Sequence, residues 1–159
     1  MNENLNLPCA SVLIPTAGTR LPDALVNAYL NTAYRVGETD DVPGFTLKVG
    51  QPSPELTVLM KRFNRSTAAL ITAWNPMGQA LSEEANRARN RALQQVLTQR
   101  SLPHWPGVGS GASGDWPGEE SFLVLGLDLE AARRLGRDHE QNALVWAGSG
   151  RAPQLVLLV

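Results

Sequence analysis

Short apolar segments lie too close together in this chain for most of them to run parallel, and that spacing limits the fold more than any other feature. Ala143–Trp146 and Leu155–Leu158 are parted by little more than a glycine turn, whereas a parallel crossover takes a dozen or more residues. Phe45-Thr46-Leu47-Lys48-Val49 alternates apolar and polar positions as a half-buried strand does. Tyr34-Arg35-Val36 reads as extended, and Ala68 to Trp74 and Phe122 to Leu127 read as buried strands. Four helical patterns separate these strands. One opens at Pro22-Asp23 and puts Leu25, Val26, Tyr29 and Leu30 on one face; a second follows Ser53-Pro54-Glu55, with Ser as cap and Pro at the first helical position. The third and longest runs from about Glu83 to Gln99 behind Ser82, and the fourth from Leu129 to about Asp138. The expectation is an α+β fold: a single-domain sandwich in which a mixed, largely antiparallel sheet carries helices packed on it. Residues 1–20, broken by Pro8, Pro15 and Gly18, are expected as an extended, partly mobile arm, and residues 21–159 as the domain. The Gly-, Pro- and Ser-rich stretch from Pro103 to Gly118, holding Trp105-Pro106 and Trp116-Pro117, reads as a connection, and Gly107 to Gly114 within it as a flexible hairpin.

Composition sets the outer limits. With 43% hydrophobic and 18% charged residues the chain has material for a core, which excludes wholesale disorder. Cys9 is the only cysteine, so an internal disulfide is impossible and a reducing, cytoplasmic setting is expected. No apolar run approaches the length of a membrane span, and Met1 to Pro8 lacks the basic start of a secretory signal. A net charge of −1 argues against a dominant nucleic-acid role. The charge is unevenly spread, however: basic residues predominate from Lys61 to Arg100 and acidic ones from Asp115 to Glu140. Such opposite faces could mate within the fold, between copies in a homo-oligomer, or with an anionic ligand.

Unusual polar chemistry is concentrated in two places. Thr72-Ala73-Trp74-Asn75-Pro76 ends an apolar strand, and Asn86-Arg87-Ala88-Arg89-Asn90 follows within the long helix. On a helical wheel Ala85, Ala92, Leu93, Val96 and Leu97 make the core stripe, and Asn86, Arg89 and Asn90 fall in or beside it. The first turns of a core-facing side are therefore polar. Asn75, Asn86, Arg89 and Asn90, with Trp74 as a wall, could hold a small polar or anionic ligand, nucleotide-like or bearing a carboxylate or phosphate. Alternatively the amides and Arg89 form a structural network that fastens the helix to the loop after the strand.

Glu120 is expected to reach Arg89 as an ion pair and is the acid–base candidate, with Asp115, Glu119 and His104 nearby in sequence. The run Gly107 to Gly114 leads to a strand rather than a helix, which is the wrong context for a phosphate cradle. His104, His139 and the distant Cys9 make no zinc pattern, so neither metal nor cofactor is expected.

Thr72-Ala73-Trp74-Asn75-Pro76, the Asn86 and Arg89-Asn90 helix, Glu120-Ser121-Phe122-Leu123-Val124 and Gln141-Asn142-Ala143 together resemble a bacterial family known as a domain of unknown function. Gly50-Gln51-Pro52-Ser53-Pro54 and the Trp-rich glycine connection fit the same resemblance, which covers roughly residue 23 onward. It implies a small bacterial cytosolic protein and brings no activity, cofactor or catalytic residue. Three classes stay open on the residues alone: a ligand-binding domain, a self-associating interaction module, and an enzyme using Glu120 with Arg89.

Overall fold

Alternation within the strands determines how the layers are built. The computed structural model describes residues 12–40, 42–111 and 118–159. Among these residues eight strands form one sheet in the order β1-β8-β7-β4-β6-β5-β2-β3, with β1 Leu13–Ile14, β2 Ala33–Val36, β3 Phe45–Leu47, β4 Thr67–Ile71, β5 His104–Ser110, β6 Glu119–Leu125, β7 Ala143–Gly148 and β8 Gln154–Leu157. Every pairing is antiparallel except that of β1 with β8. Side chains of Ala68, Leu70, Leu123, Leu125, Val145 and Leu155 point to one face, where they meet α1 (Asp23–Leu30) and α2 (Pro54–Arg62). Their neighbours Ala69, Ile71, Phe122, Val124, Leu144 and Val156 point to the other, against α3 (Glu83–Gln99) and α4 (Leu129–Asp138). A period of two on a sheet covered on both sides is what makes these strands apolar at nearly every position. The expected α+β sandwich with a largely antiparallel, mixed sheet is what the chain forms.

The helices begin where their capping chemistry places them. Ser53 Oγ accepts from the Leu56 amide at 3.1 Å, Ser82 Oγ from the Ala85 amide at 3.1 Å, and Asp128 Oδ1 from the Ala131 amide at 2.7 Å.

The stretch expected as a connection is in large part a strand. His104–Ser110 is β5, paired on both sides, with β6 and with β2. Its glycines serve close approach rather than flexibility. A Cβ on Gly109 would lie 3.2 Å from the Tyr34 ring, and one on Gly107 would lie 3.1 Å from the Arg35 carbonyl oxygen. Two further boundaries move. β4 stops at Ile71 instead of Trp74, because Thr72 Oγ1 accepts from the Trp74 amide at 3.0 Å and turns the chain. Leu13–Ile14, inside the segment expected as an arm, adds the strand β1 alongside β8. Cys9, Asp115 and Trp116, singled out in the sequence, lie outside the described residues.

Candidate functional site

The polar stripe on α3 grips the loop that leaves β4. Asn90 Oδ1 accepts from the Ala73 amide at 2.8 Å, while its Nδ2 donates to the Glu120 carbonyl at 2.9 Å. One turn earlier, Asn86 Oδ1 accepts from the Asn75 amide and its Nδ2 donates to Asn75 Oδ1, both at 2.8 Å. Both asparagines are buried, Asn86 being 1% exposed. Arg89 completes the grip: its Nε donates to the Ala73 carbonyl at 2.8 Å and an Nη to the His139 carbonyl at 2.9 Å. Buried amides are tolerable on a core-facing helix only when satisfied in this way.

The gripped loop is sharply bent. Asn75 sits at φ 46° and Met77 at φ 52°, on either side of the buried Pro76 in a single 3-10 turn over Pro76–Gly78. Asn is the non-glycine residue best suited to that left-handed conformation. With its Oδ1 taken by Asn86 and by the Leu81 amide, Asn75 turns its Nδ2 toward Glu119 Oε1 at 3.4 Å.

That orientation faces a cavity of about 470 Å³ on the α1 side of the sheet. Its lining includes the apolar floor residues Leu70, Val145 and Leu155, the aromatic rings of Tyr29, Tyr34 and Trp74, and a convergent polar set: Thr32, Thr72, Asn75, Glu119, Ser121, Gln141 and Asn142. Tyr29 is supplied by α1, Tyr34 by β2 and Ser121 by β6, and Asn142 immediately precedes β7. Asn142 Nδ2 donates to the Tyr29 hydroxyl at 3.5 Å, and Gln141 Nε2 to the Trp74 carbonyl at 3.2 Å. Ser121 is 7% exposed, and its Oγ is shut off from water with no hydrogen-bond partner.

Two phenols hold their protons unusually firmly here. Burial raises the Tyr34 pKa well above the ordinary tyrosine range; hydrogen bonding with Thr32 opposes this, and the nearby Tyr29 and Glu119 charges add to it. Tyr29 is raised as well, again first by burial, with its Asn142 hydrogen bond opposing and Glu119 adding. Both are therefore neutral donors at physiological pH.

A pH dependence follows from these shifts. In the unfolded chain tyrosine ionises near 10.0, whereas the folded chain keeps the proton to higher pH. The stabilisation is therefore complete below pH 10.0 and is lost as pH rises further, because the unfolded state then binds fewer protons. Urea midpoints should fall between pH 9 and pH 11, and Tyr34→Phe should flatten that fall. These are the chain's only two tyrosines, so tyrosinate absorbance reads both directly. Midpoints at or below the free-tyrosine value would contradict the assignment.

The sequence-derived residues divide between two places. Trp74 and Asn75 line the cavity. Asn86 and Asn90 stand behind it and set the loop, and Arg89 is not among the lining residues. Arg89 does not meet Glu120: its ion-pair partner is Glu140 at 3.7 Å, while Glu120 lies 4.0 Å from Arg87. Strand alternation explains the separation. Glu119 shares the inward face of β6 with Ser121 and Leu123, so Glu120 emerges on the α3 side beside the turn that carries Arg87. His104 faces away from the cavity, with its ring against Phe122 at 5.8 Å. Tyr29, Thr32, Tyr34, Ser121, Gln141 and Asn142 were not candidates from the sequence. Among the described residues no group of three or more His, Cys, Asp or Glu could hold a metal ion, and no helix is long and apolar enough to cross a membrane.

Among curated proteins and among solved structures nothing matches this chain. Residues 71–144 match the model of a family described as protein of unknown function (DUF3293). The matched stretch contains the Thr72–Asn75 loop, the Asn86–Asn90 grip, Glu119, Ser121 and Asn142, and leaves out Tyr29, Thr32 and Tyr34. The resemblance expected from the sequence is met at the level of a domain-of-unknown-function family, and the similarity carries no activity with it.

Proposed function

We propose that this protein is a binding domain for a small polar molecule bearing an amine, held in the cavity between α1 and the sheet. One observation carries the reading: the cavity brings Glu119, Asn75, Asn142 and two neutral phenols together over an apolar floor. Ligand sites typically combine an apolar lining with a few convergent polar groups, as this one does. Charge selects the ligand class. Glu119 lines the cavity and, among the described residues, no Lys or Arg does, so an ammonium is favoured and a phosphate or carboxylate opposed. The rings of Trp74, Tyr29 and Tyr34 add faces on which a cation is attracted. The bent Thr72–Asn75 loop and its Asn86–Asn90 anchors hold the polar rim in place, so the structural network and the ligand site are one arrangement. A bacterial, cytoplasmic setting belongs to the same proposal and rests on the family resemblance and the single cysteine.

The test is a thermal-shift screen with polyamines, amino sugars and amino-acid amides in one set and nucleotides, sugar phosphates and dicarboxylates in another. A ligand confined to the native state must raise the midpoint. Amine-bearing compounds should do so, and Glu119→Gln should stay folded while weakening them about tenfold or more, the scale of one charge-assisted hydrogen bond. A shift by anions alone, or an unchanged response in Glu119→Gln, would overturn the proposal.

A further inference from the structure

On the opposite face of the sheet the sandwich leaves a second opening. A groove of about 380 Å³ runs between α3 and strands β2 and β5, lined by Arg35, Arg87, Arg91, Gln94, Pro106, Val108, Glu120 and their neighbours. Three guanidinium groups are brought there by two unrelated elements. Arg35 comes from β2, where alternation places it opposite the face of half-buried Tyr34 and buried Val36; Arg87 and Arg91 stand one turn apart on α3. Like charges at that helical spacing are unfavourable by a few tenths of a kcal/mol.

Compensation within the chain is partial. Arg87 is paired with Glu83 and reaches Glu120 at 4.0 Å. Arg35 and Arg91 have no ion-pair partner among the described residues. Beside these cations Val108 is 41% exposed, an apolar surface adjoining Pro106. Guanidinium forks match phosphate oxygens in pairs, and their planes stack on flat groups.

We infer that this groove is a second binding site, across the sheet from the cavity and bordering it only at Ser121, for a phosphorylated small molecule of nucleoside-diphosphate type. Its phosphates lie among Arg35, Arg87 and Arg91, and its organic part rests on Pro106 and Val108. Glu120 is the one carboxylate in the groove lining among the described residues, and by repulsion it limits how tightly the anion is held. The modest overall charge of −1 suits a small anion better than a long polyanion, which needs an extended basic footprint.

Isothermal titration of the full chain with inorganic pyrophosphate, and then with a nucleoside diphosphate, tests this at low and moderate salt. Saturable one-to-one binding is expected, weakened about tenfold or more by Arg35→Ser and by Arg91→Ser, and tightened by Glu120→Gln. All three positions are exposed, so the variants should keep wild-type unfolding midpoints. Glu119→Gln, on the other face, should leave pyrophosphate binding unchanged, which separates failure of this site from failure of the amine site. No saturable binding, equal binding by the arginine variants, or a preference for single-stranded oligonucleotide over both phosphates would overturn the inference.

Discussion

Asn90→Ala is expected to lower the unfolding free energy by about 3 kcal/mol, a shift in midpoint of roughly 6–12 °C for a chain of this size. The reason is local. Ala73 is 0% exposed, and its amide donates to Asn90 Oδ1 at 2.8 Å. Removing that acceptor leaves a buried N–H with no access to water, which costs more than the net value of a hydrogen bond. The Glu120 carbonyl suffers less, because Thr72 Oγ1 still donates to it at 2.6 Å. Chemical denaturation of the purified variant measures the effect. A loss below about 1 kcal/mol would mean that the loop relaxes enough to find another partner.

Arg89→Ala should cost about 2 kcal/mol, and the loss should trace to its two carbonyl partners rather than to its ion pair. The Glu140 pairing at 3.7 Å is made by side chains 28% and 59% exposed, where solvent screens most of the attraction. Glu140→Ala is therefore expected to stay within about 0.5 kcal/mol of wild type. Lysine should not rescue position 89, since one ammonium cannot reproduce a planar fork aimed at the Ala73 and His139 carbonyls. Because Arg89 and Asn90 hold the carbonyl and the amide of the same residue, their double variant should lose less than the sum of the two singles. Additive losses in equilibrium unfolding would show that the two contacts are independent.

The anchor half of the site was legible because it breaks a pattern. A wheel with Leu93 and Leu97 in the core stripe and Asn86 and Asn90 on the same side demands partners, and the nearest polar segment was the loop after β4. What those side chains do was not legible, since a satisfied amide and a ligand-holding amide look alike in sequence. Alternation could have separated Glu119 from Glu120. Leu123 and Leu125 place odd-numbered positions of β6 on the α1 side, which puts Glu119 and Ser121 inward and Glu120 outward. A strand begun at Phe122, where the apolar run opens, starts three residues late and hides that alternation.

The glycines of β5 hid a strand for a related reason. Gly107 and Gly109 look like flexibility unless the Arg35 carbonyl is known to lie against the first and the Tyr34 ring against the second, and both contacts depend on the pairing of β2 with β5. Asn142 is far in the chain from Tyr29 and Tyr34 and is brought to the same cavity only by the sheet order, so no local signal joined it to them.

The most direct test of the amine site is a mapping of backbone amide chemical shifts as the best amine-bearing compound of the screen is added to the wild-type chain. The perturbed amides should cluster at Thr72–Asn75, Glu119–Ser121, Gln141–Asn142 and Thr32–Tyr34, which surround the cavity. Perturbations gathered elsewhere, or none at saturating compound, would contradict the claim that this cavity is where the protein binds its ligand.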